Sequence, residues 1–202
     1  MPSTVSDLLD AASLRLTGVV PWLKAVPSRA PGVYILSLSP DSDRNSRVLE
    51  TAPIDCDAVS QWISRVPMLE LDGRPRPSPD ALTRRLSEFW LSDESTLYIG
   101  KASSLRNRVR GYYKTPLGDR RPHAGGHWIK TLSILSETFV YYAESSDPEE
   151  AESRLIRAFI TWISSKTKHS LRDAEHPLPF ANLEFPKGNR KNHGIAKSKL
   201  LE

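Results

Sequence analysis

Two stretches of the chain carry residue types that could do chemistry together. In 97–113, LYIGKASSLRNRVRGYY, three tyrosines, three arginines and a lysine stand close together with no acid among them. On a helix Arg108 and Tyr112, four apart, project from one face, while Arg106 and Arg110 form another pair. A guanidinium beside a phenol, near a strand end carrying Tyr98 and Gly100, makes a phosphate-binding corner. A solvated basic face is the plain alternative. The second stretch centres on Glu152. Leu155, Ile156, Phe159 and Ile163 follow it at helical spacing, so Glu152 shares the face turned to the core, whereas Glu149 can reach solvent. An acid on a buried stripe is costly unless it is paired, protonated or holding a metal ion. A boundary salt bridge with a nearby arginine is the competing explanation.

The elements that must position these residues follow from hydrophobic spacing. PGVYILSLS (31–39) and STLYIG (95–100) read as strands, and ETFVYYAE (137–144) as a third. Residues 104–113 read as a helix whose inward stripe is Leu105, Val109 and Tyr113. From Asp147, DPEEAESRLIRAFITWIS is the clearest helix, with Asp147 as cap and Pro148 in the first turn. Residues 5–25 predict a helix that Pro21 disturbs near its end. The long stretch 40–95 holds a short helix at 57–66, a turn at LDGRPRP, and a helix DALTRRLSEFW behind Ser78 and Pro79. A loop rich in Gly, Pro and His (114–126) leads to a short amphipathic segment from Trp128. The tail, FPKGNRKNHGIAKSKLLE, is polar and basic. Strands and helices in this order predict an α+β fold with a small sheet.

Composition narrows the functional classes. The chain has 202 residues, 39% apolar and 26% charged, which suits one globular domain or one domain with a large insertion. A net charge of +4 permits a nucleic-acid partner without demanding one. Cys56 is the only cysteine, which excludes an intramolecular disulfide and a thiolate metal cluster. No apolar run reaches the roughly 18 residues of a membrane span. The N-terminus lacks a signal-peptide pattern, so a cytoplasmic location is expected.

GVY at 32–34, YIG at 98–100, Arg108 ten residues beyond Tyr98, and ESRLIR at 152–157 stand in an order that resembles the GIY-YIG nuclease family. The likeness is strongest to the nuclease domain of the bacterial excision-repair C subunit and to stand-alone restriction-type enzymes. It covers about residues 31–38 and 95–183. The resemblance implies a small, three-stranded, mainly antiparallel sheet flanked by helices. It also implies a metal-dependent DNA endonuclease using Mg²⁺ or Mn²⁺. Tyr34 would activate or orient the attacking water, as a phenolate or through a shared proton, with Tyr98 assisting. Arg108 would stabilise the pentacovalent phosphate and Glu152 would hold the metal ion. Lys101 and Tyr112 would stand beside the site, Asn182 would brace its Glu152 side, and Gly100 would let the backbone approach substrate.

About 60 residues separate GVY from LYIG where the family has a short turn. The expected organisation is an N-terminal helical extension (1–30), a nuclease domain (31–185) with an insertion at about 40–94, and a basic tail (186–202). Trp62 and Trp90 are expected to form the insertion's own small core. Arg106, Arg110, His123, His127 and Lys191 are the expected nucleic-acid contacts, the histidines as a loop rather than a zinc site; an ordinary loop for the histidines and a disordered, solvated tail around Lys191 are the plain alternatives. A restriction or defence role is the leading expectation. A repair or recombination nuclease, an RNA substrate, and a catalytically silent nucleic-acid binder on the same fold stay open, as does the oligomeric state, dimer included.

Overall fold

The computed structural model describes residues 3–119 and 126–197. Among them are six helices: α1 (Val5–Ala11), α2 (Cys56–Arg65), α3 (Pro79–Ser87), α4 (Leu105–Lys114), α5 (Pro148–Trp162) and α6 (Ser165–Ser170). The strands are β1 (Gly18–Pro21), β2 (Gly32–Ser37), β3 (Leu69–Leu71), β4 (Arg74–Pro75), β5 (Thr96–Ala102), β6 (Phe139–Glu144) and β7 (Ile195–Lys197). They form two antiparallel sheets, ordered β1-β6-β2-β5 and β4-β3-β7. The fold is α+β, as expected, but the main sheet has four strands rather than three.

The fourth strand comes from the segment expected to be a helical extension. Thr4 and Asp7 form a reciprocal capping box that starts α1, and the helix ends by Ala12, before Ser13 takes a φ of 56°. Val19 and Val20 then do what β-branched residues favour and pair with β6. Pro21 is tolerated because β1 is an edge strand. Residues 1–30 therefore contribute to the central sheet through β1.

β2 lies inside that sheet and all six of its positions are buried, which explains its unbroken apolar run. α5 packs against β5 and β2 on one side of the sheet. Asp147 caps it, accepting from the Glu150 N–H, with Pro148 in its first turn. α4 lies on the other side, where its Tyr112 ring meets Tyr98.

The insertion is built from α2, α3 and the β3–β4 hairpin. Asp72 and Gly73 both have positive φ, the requirement of the two-residue turn that Asp-Gly favours. β7, from the tail expected to be polar and basic, pairs with β3, so insertion and tail share a sheet. Trp90 does not belong to a separate small core. Its ring packs against Phe180 and its Nε1 donates to the Leu49 carbonyl at 2.7 Å, within one continuous core.

A candidate active site around Gly100

Strand register assembles the first part of the site. Tyr34 pairs with Gly100, and Leu36 with Tyr98, so these four positions share one face of the sheet. Gly100 leaves a gap on that face, and the rings of Tyr34 and Tyr98 lean over it with centroids 5.8 Å apart. A Cβ at Gly100 would lie 2.7 Å from Tyr98 Cε1 and 2.9 Å from Tyr34 Cζ and Oη. The glycine therefore makes room for the tyrosine pair; this is its structural reason, distinct from a backbone approach to substrate.

α4 closes the cluster. Tyr112 is buried, its ring 5.8 Å from that of Tyr98, and its hydroxyl donates a short hydrogen bond to the Gly126 carbonyl. Lys130 fixes the end of this helix by donating to the carbonyls of Tyr112, at 2.7 Å, and Thr115. Desolvation pulls the Lys130 ammonium down to about 8. At the other end the N–H groups of Leu105 and Arg106 donate to the carbonyls of Ala30 and Ser28, at 3.0 and 2.8 Å. The helix that carries Arg108 is thus held at both ends.

Two polar atoms in the cluster lack a well-formed hydrogen bond. The Tyr34 hydroxyl and Arg108 Nε are shut off from solvent and neither meets a partner at good hydrogen-bond geometry, although the Tyr98 hydroxyl and the Arg108 guanidinium stand close enough to act on the Tyr34 hydroxyl. Burial is the main reason the Tyr34 phenol sits well above its ordinary value; Tyr98 pushes it further, and Arg108 opposes without reversing it. Tyr98 is raised by burial and then by the Glu152 charge. Both phenols are therefore neutral at physiological pH. A resting Tyr34 phenolate, one of the two expected forms, is opposed by this burial.

Glu152 comes from the opposite face. Lys101, one residue past Gly100, points to the α5 side, where its ammonium lies 2.6 Å from Glu149 and 3.1 Å from Glu152. Glu152 is indeed turned inward, its side chain 20% exposed, and its partner is a lysine rather than an arginine. Burial raises the Glu152 carboxyl, and Lys101 partly offsets that. Burial likewise lowers Lys101, but the two glutamates outweigh it and the ammonium ends raised. The two halves of the site meet around the end of β5. A groove of about 640 Å³ runs there, lined by Lys101, Arg108 and Glu149 together with Ser103, Ser104 and Asn107.

Asn182 braces this arrangement through the backbone. Its Oδ1 accepts from the Ile99 N–H at 2.9 Å and its Nδ2 donates to the Ile99 carbonyl at 2.8 Å. The side-chain amide thus completes the outer edge of β5 between Tyr98 and Gly100, rather than reaching Glu152 directly.

Lys191 requires a correction. It is 4% exposed, and its Nζ donates to the carbonyls of Pro179 and Phe180 at 2.9 and 3.1 Å. The ammonium lies over the rings of Phe89 and Trp128, each at 5.8 Å, and burial lowers it to about 7. Packed this way it cannot meet a phosphate. It holds the turn that presents Asn182. Arg110 is exposed and Arg106 half-exposed, both on the side of α4 away from Arg108. His127 is half-exposed and lines a different pocket, with Trp62, Trp128 and Arg190. His123 lies outside the described residues.

Three contributors are absent from the site as spacing gives it, Glu149 reading there only as solvent-facing. Glu149 stands three residues before Glu152, a spacing that already puts both carboxylates on one side of a helix. Trp22 packs edge-on against Tyr112, centroids 5.6 Å apart, and only the tertiary fold reveals it. The same holds for Gly126, at φ 67°, where a Cβ would fall 2.6 Å from the Tyr112 hydroxyl. Among the described residues no group of three or more His, Cys, Asp and Glu side chains is placed to hold a metal ion. Comparison with family models, with curated proteins and with solved structures finds no match for this chain.

Proposed function

We propose that the chain is a metal-dependent endonuclease of the GIY-YIG type that hydrolyses DNA phosphodiester bonds. The observation that carries this reading is the pair of buried groups without a well-formed hydrogen bond, Tyr34 Oη and Arg108 Nε, beside a groove lined by Lys101 and Glu149. Buried polar atoms are ordinarily satisfied, and an exception calls for an explanation, of which a role toward substrate is one. An occupant that offers oxygen acceptors to a guanidinium and a phenol fits a phosphodiester.

The donor set also bears on the metal. Glu152 and Glu149 offer hard carboxylate oxygens on one side of α5, without thiolate or imidazole beside them. One or two carboxylates completed by water suit Mg²⁺ and do not suit structural zinc. Glu152 would hold the ion, with Lys101 shifting toward Glu149 or the phosphate. When bound, the ion neutralises charge on a phosphate oxygen and on the leaving oxygen.

The protein's own groups supply the rest. Arg108 stabilises the charge that grows on the equatorial phosphate oxygens. Tyr34, a neutral phenol, accepts the water proton at Oη only as it gives its own proton to a phosphate oxygen. The water oxygen bonds to phosphorus, the ester P–O bond breaks, and the departing oxygen takes a proton from solvent. Tyr98 and Gly100 fix the ring of Tyr34, and Asn182 fixes the strand beneath them.

The test is cleavage of supercoiled plasmid in Mg²⁺ and in EDTA, with Glu152→Ala alongside. Metal-dependent nicking or linearisation by the wild type, absent in the variant, is the expected result. One observation favours a second reading, a nucleic-acid binder without turnover: Lys101 already neutralises Glu152. Salt-sensitive binding with no cleavage of modified DNA, unmodified DNA or RNA would favour it.

A further inference from the structure

Beyond the cleavage site, Leu23 occupies a position its residue type does not favour. It sits in a turn closed by the Lys24 N–H donating to the Pro21 carbonyl at 3.0 Å, with a φ of 67°. That backbone region suits glycine, and a leucine there is strained. The residue is 65% exposed, more than the other exposed large apolar residues among those described, Val19 and Val48.

The turn is fastened to the helix that bears Arg108. On one shoulder Trp22 packs edge-on against Tyr112 and Tyr113, centroids 5.6 and 4.7 Å away. On the other, the Tyr113 hydroxyl donates to the Lys24 carbonyl at 3.0 Å. Beside Leu23 opens a cavity of about 510 Å³, with Ala25, Val26 and Tyr113 as its apolar wall and Arg106, Arg110 and Lys114 as its cations. No acid lines it. Among the described residues none of these three cations, nor Lys24, belongs to an ion pair.

We propose that Leu23 is a wedge that enters a base step of a nucleic-acid duplex whose backbone lies on Arg106, Arg110 and Lys114. The preferred substrate is then a duplex with a step that unstacks at low cost. The nuclease reading bears on this only in naming the polymer. A lone apolar side chain flanked by cations is the arrangement with which proteins part base steps and kink DNA. A membrane surface calls for a broader apolar face, and a protein partner for a larger apolar patch. The cationic row is spaced i, i+4, i+8 along α4, opposite Arg108.

The test uses the full chain in EDTA and duplexes carrying 2-aminopurine at successive positions, whose fluorescence rises when the base unstacks. Wild type is expected to raise it several-fold at one or two adjacent positions. Leu23→Ala abolishes the rise and weakens binding by tenfold or less, while Leu23→Met restores the rise. Arg106→Ala with Arg110→Ala lowers the slope of log affinity on log salt by about 2. Thermal unfolding of Leu23→Ala at or above the wild-type temperature shows that the fold survives. Cleavage in Mg²⁺ without any fluorescence rise, or a rise that persists in Leu23→Ala, overturns the wedge and spares the nuclease. A Leu23-dependent rise without cleavage keeps the wedge and removes the nuclease. Binding to anionic vesicles but not to duplex overturns the wedge outright.

Discussion

Arg108 and Lys191 each carry a positive charge into a surround of aromatic rings, and the fold finishes the hydrogen bonding of one and not the other. Lys191 Nζ donates to two carbonyls and lies over two rings. Arg108 Nε has no well-formed hydrogen bond, and neither has the Tyr34 hydroxyl near it. Leaving a buried donor unmet costs about 1–3 kcal/mol. A chain able to satisfy a buried lysine so fully is not short of the means to do the same for an arginine. On the proposed function, the difference separates a cluster that holds the structure together from one that meets substrate.

The comparison breaks first at Arg108. Arg108→Ala is expected to lower the plasmid nicking rate by about 10²–10³, the usual loss when a donor to transition-state charge is removed. Its unfolding temperature should fall less than that of Lys191→Ala, because its Nε makes no well-formed native hydrogen bond. A variant that cleaves normally, or that unfolds much earlier, would place Arg108 with Lys191 as a structural cation.

Lys191 should give the reverse pattern. Lys191→Ala leaves two buried carbonyls unmet and opens space among the rings, a loss of about 2–4 kcal/mol. Calorimetry should read this as a lower unfolding temperature, while cleavage in the cold falls far less than for Arg108→Ala. The pH dependence sharpens the point. The folded ammonium titrates at about 7, below its ordinary value of 10.5. Between those values the unfolded chain holds a proton that the folded chain does not, so this group's contribution to stability rises with pH from about 7 toward 10.5. Lys191→Met should remove that slope. An unfolding free energy from denaturant titration that changes equally between pH 7 and pH 9 in the wild type and in Lys191→Met would show that Lys191 is not buried as described.

Gly100→Ala probes the geometry that brings the open cluster together. Its methyl would overlap both tyrosine rings. Overpacking of this kind costs about 1–3 kcal/mol, and displaced rings should also cut cleavage. A stable, fully active variant would show that the ring pair over Gly100 is not what positions the chemistry.

These two cations also mark what the sequence could and could not reveal. Strand alternation and helix spacing were enough to put Tyr34 and Tyr98 on strands, Arg108 and Tyr112 on one helix, and Glu152 on an inward face; that the two strands adjoin was implied only by the resemblance. They read Lys191 as a phosphate contact, since a lysine in a basic tail gives no local sign of burial. The rings around it, Phe89 and Trp128, and the carbonyls of Pro179 and Phe180 come from separate parts of the chain. β1 was missed for a related reason: a four-residue edge strand ending in proline has too short a pattern to compete with the helical spacing before it. Asn182 was legible as a brace but not in its action, because pairing with Ile99 depends on β5 being an edge.

The smallest effect is the most discriminating, because it turns on sign. Tyr112 and Tyr34 are both fully buried phenols, but the Tyr112 hydroxyl donates to Gly126 whereas that of Tyr34, though near Tyr98 and Arg108, has no well-formed hydrogen bond. Tyr112→Phe removes a made hydrogen bond and leaves a carbonyl unmet, so it should destabilise by about 1 kcal/mol. Tyr34→Phe removes a desolvated hydroxyl without a well-formed hydrogen bond, so it should stabilise by about 1 kcal/mol. For a chain of this length each change moves the unfolding temperature by roughly 2–4 °C, in opposite directions. Cleavage should nevertheless be lost in Tyr34→Phe, because the proposed mechanism has Oη take the water proton. A variant more stable and inactive is the signature of a group retained for chemistry at the expense of the fold. If Tyr34→Phe instead melts early, its hydroxyl has a structural partner and the open cluster is no different in kind from the one around Lys191.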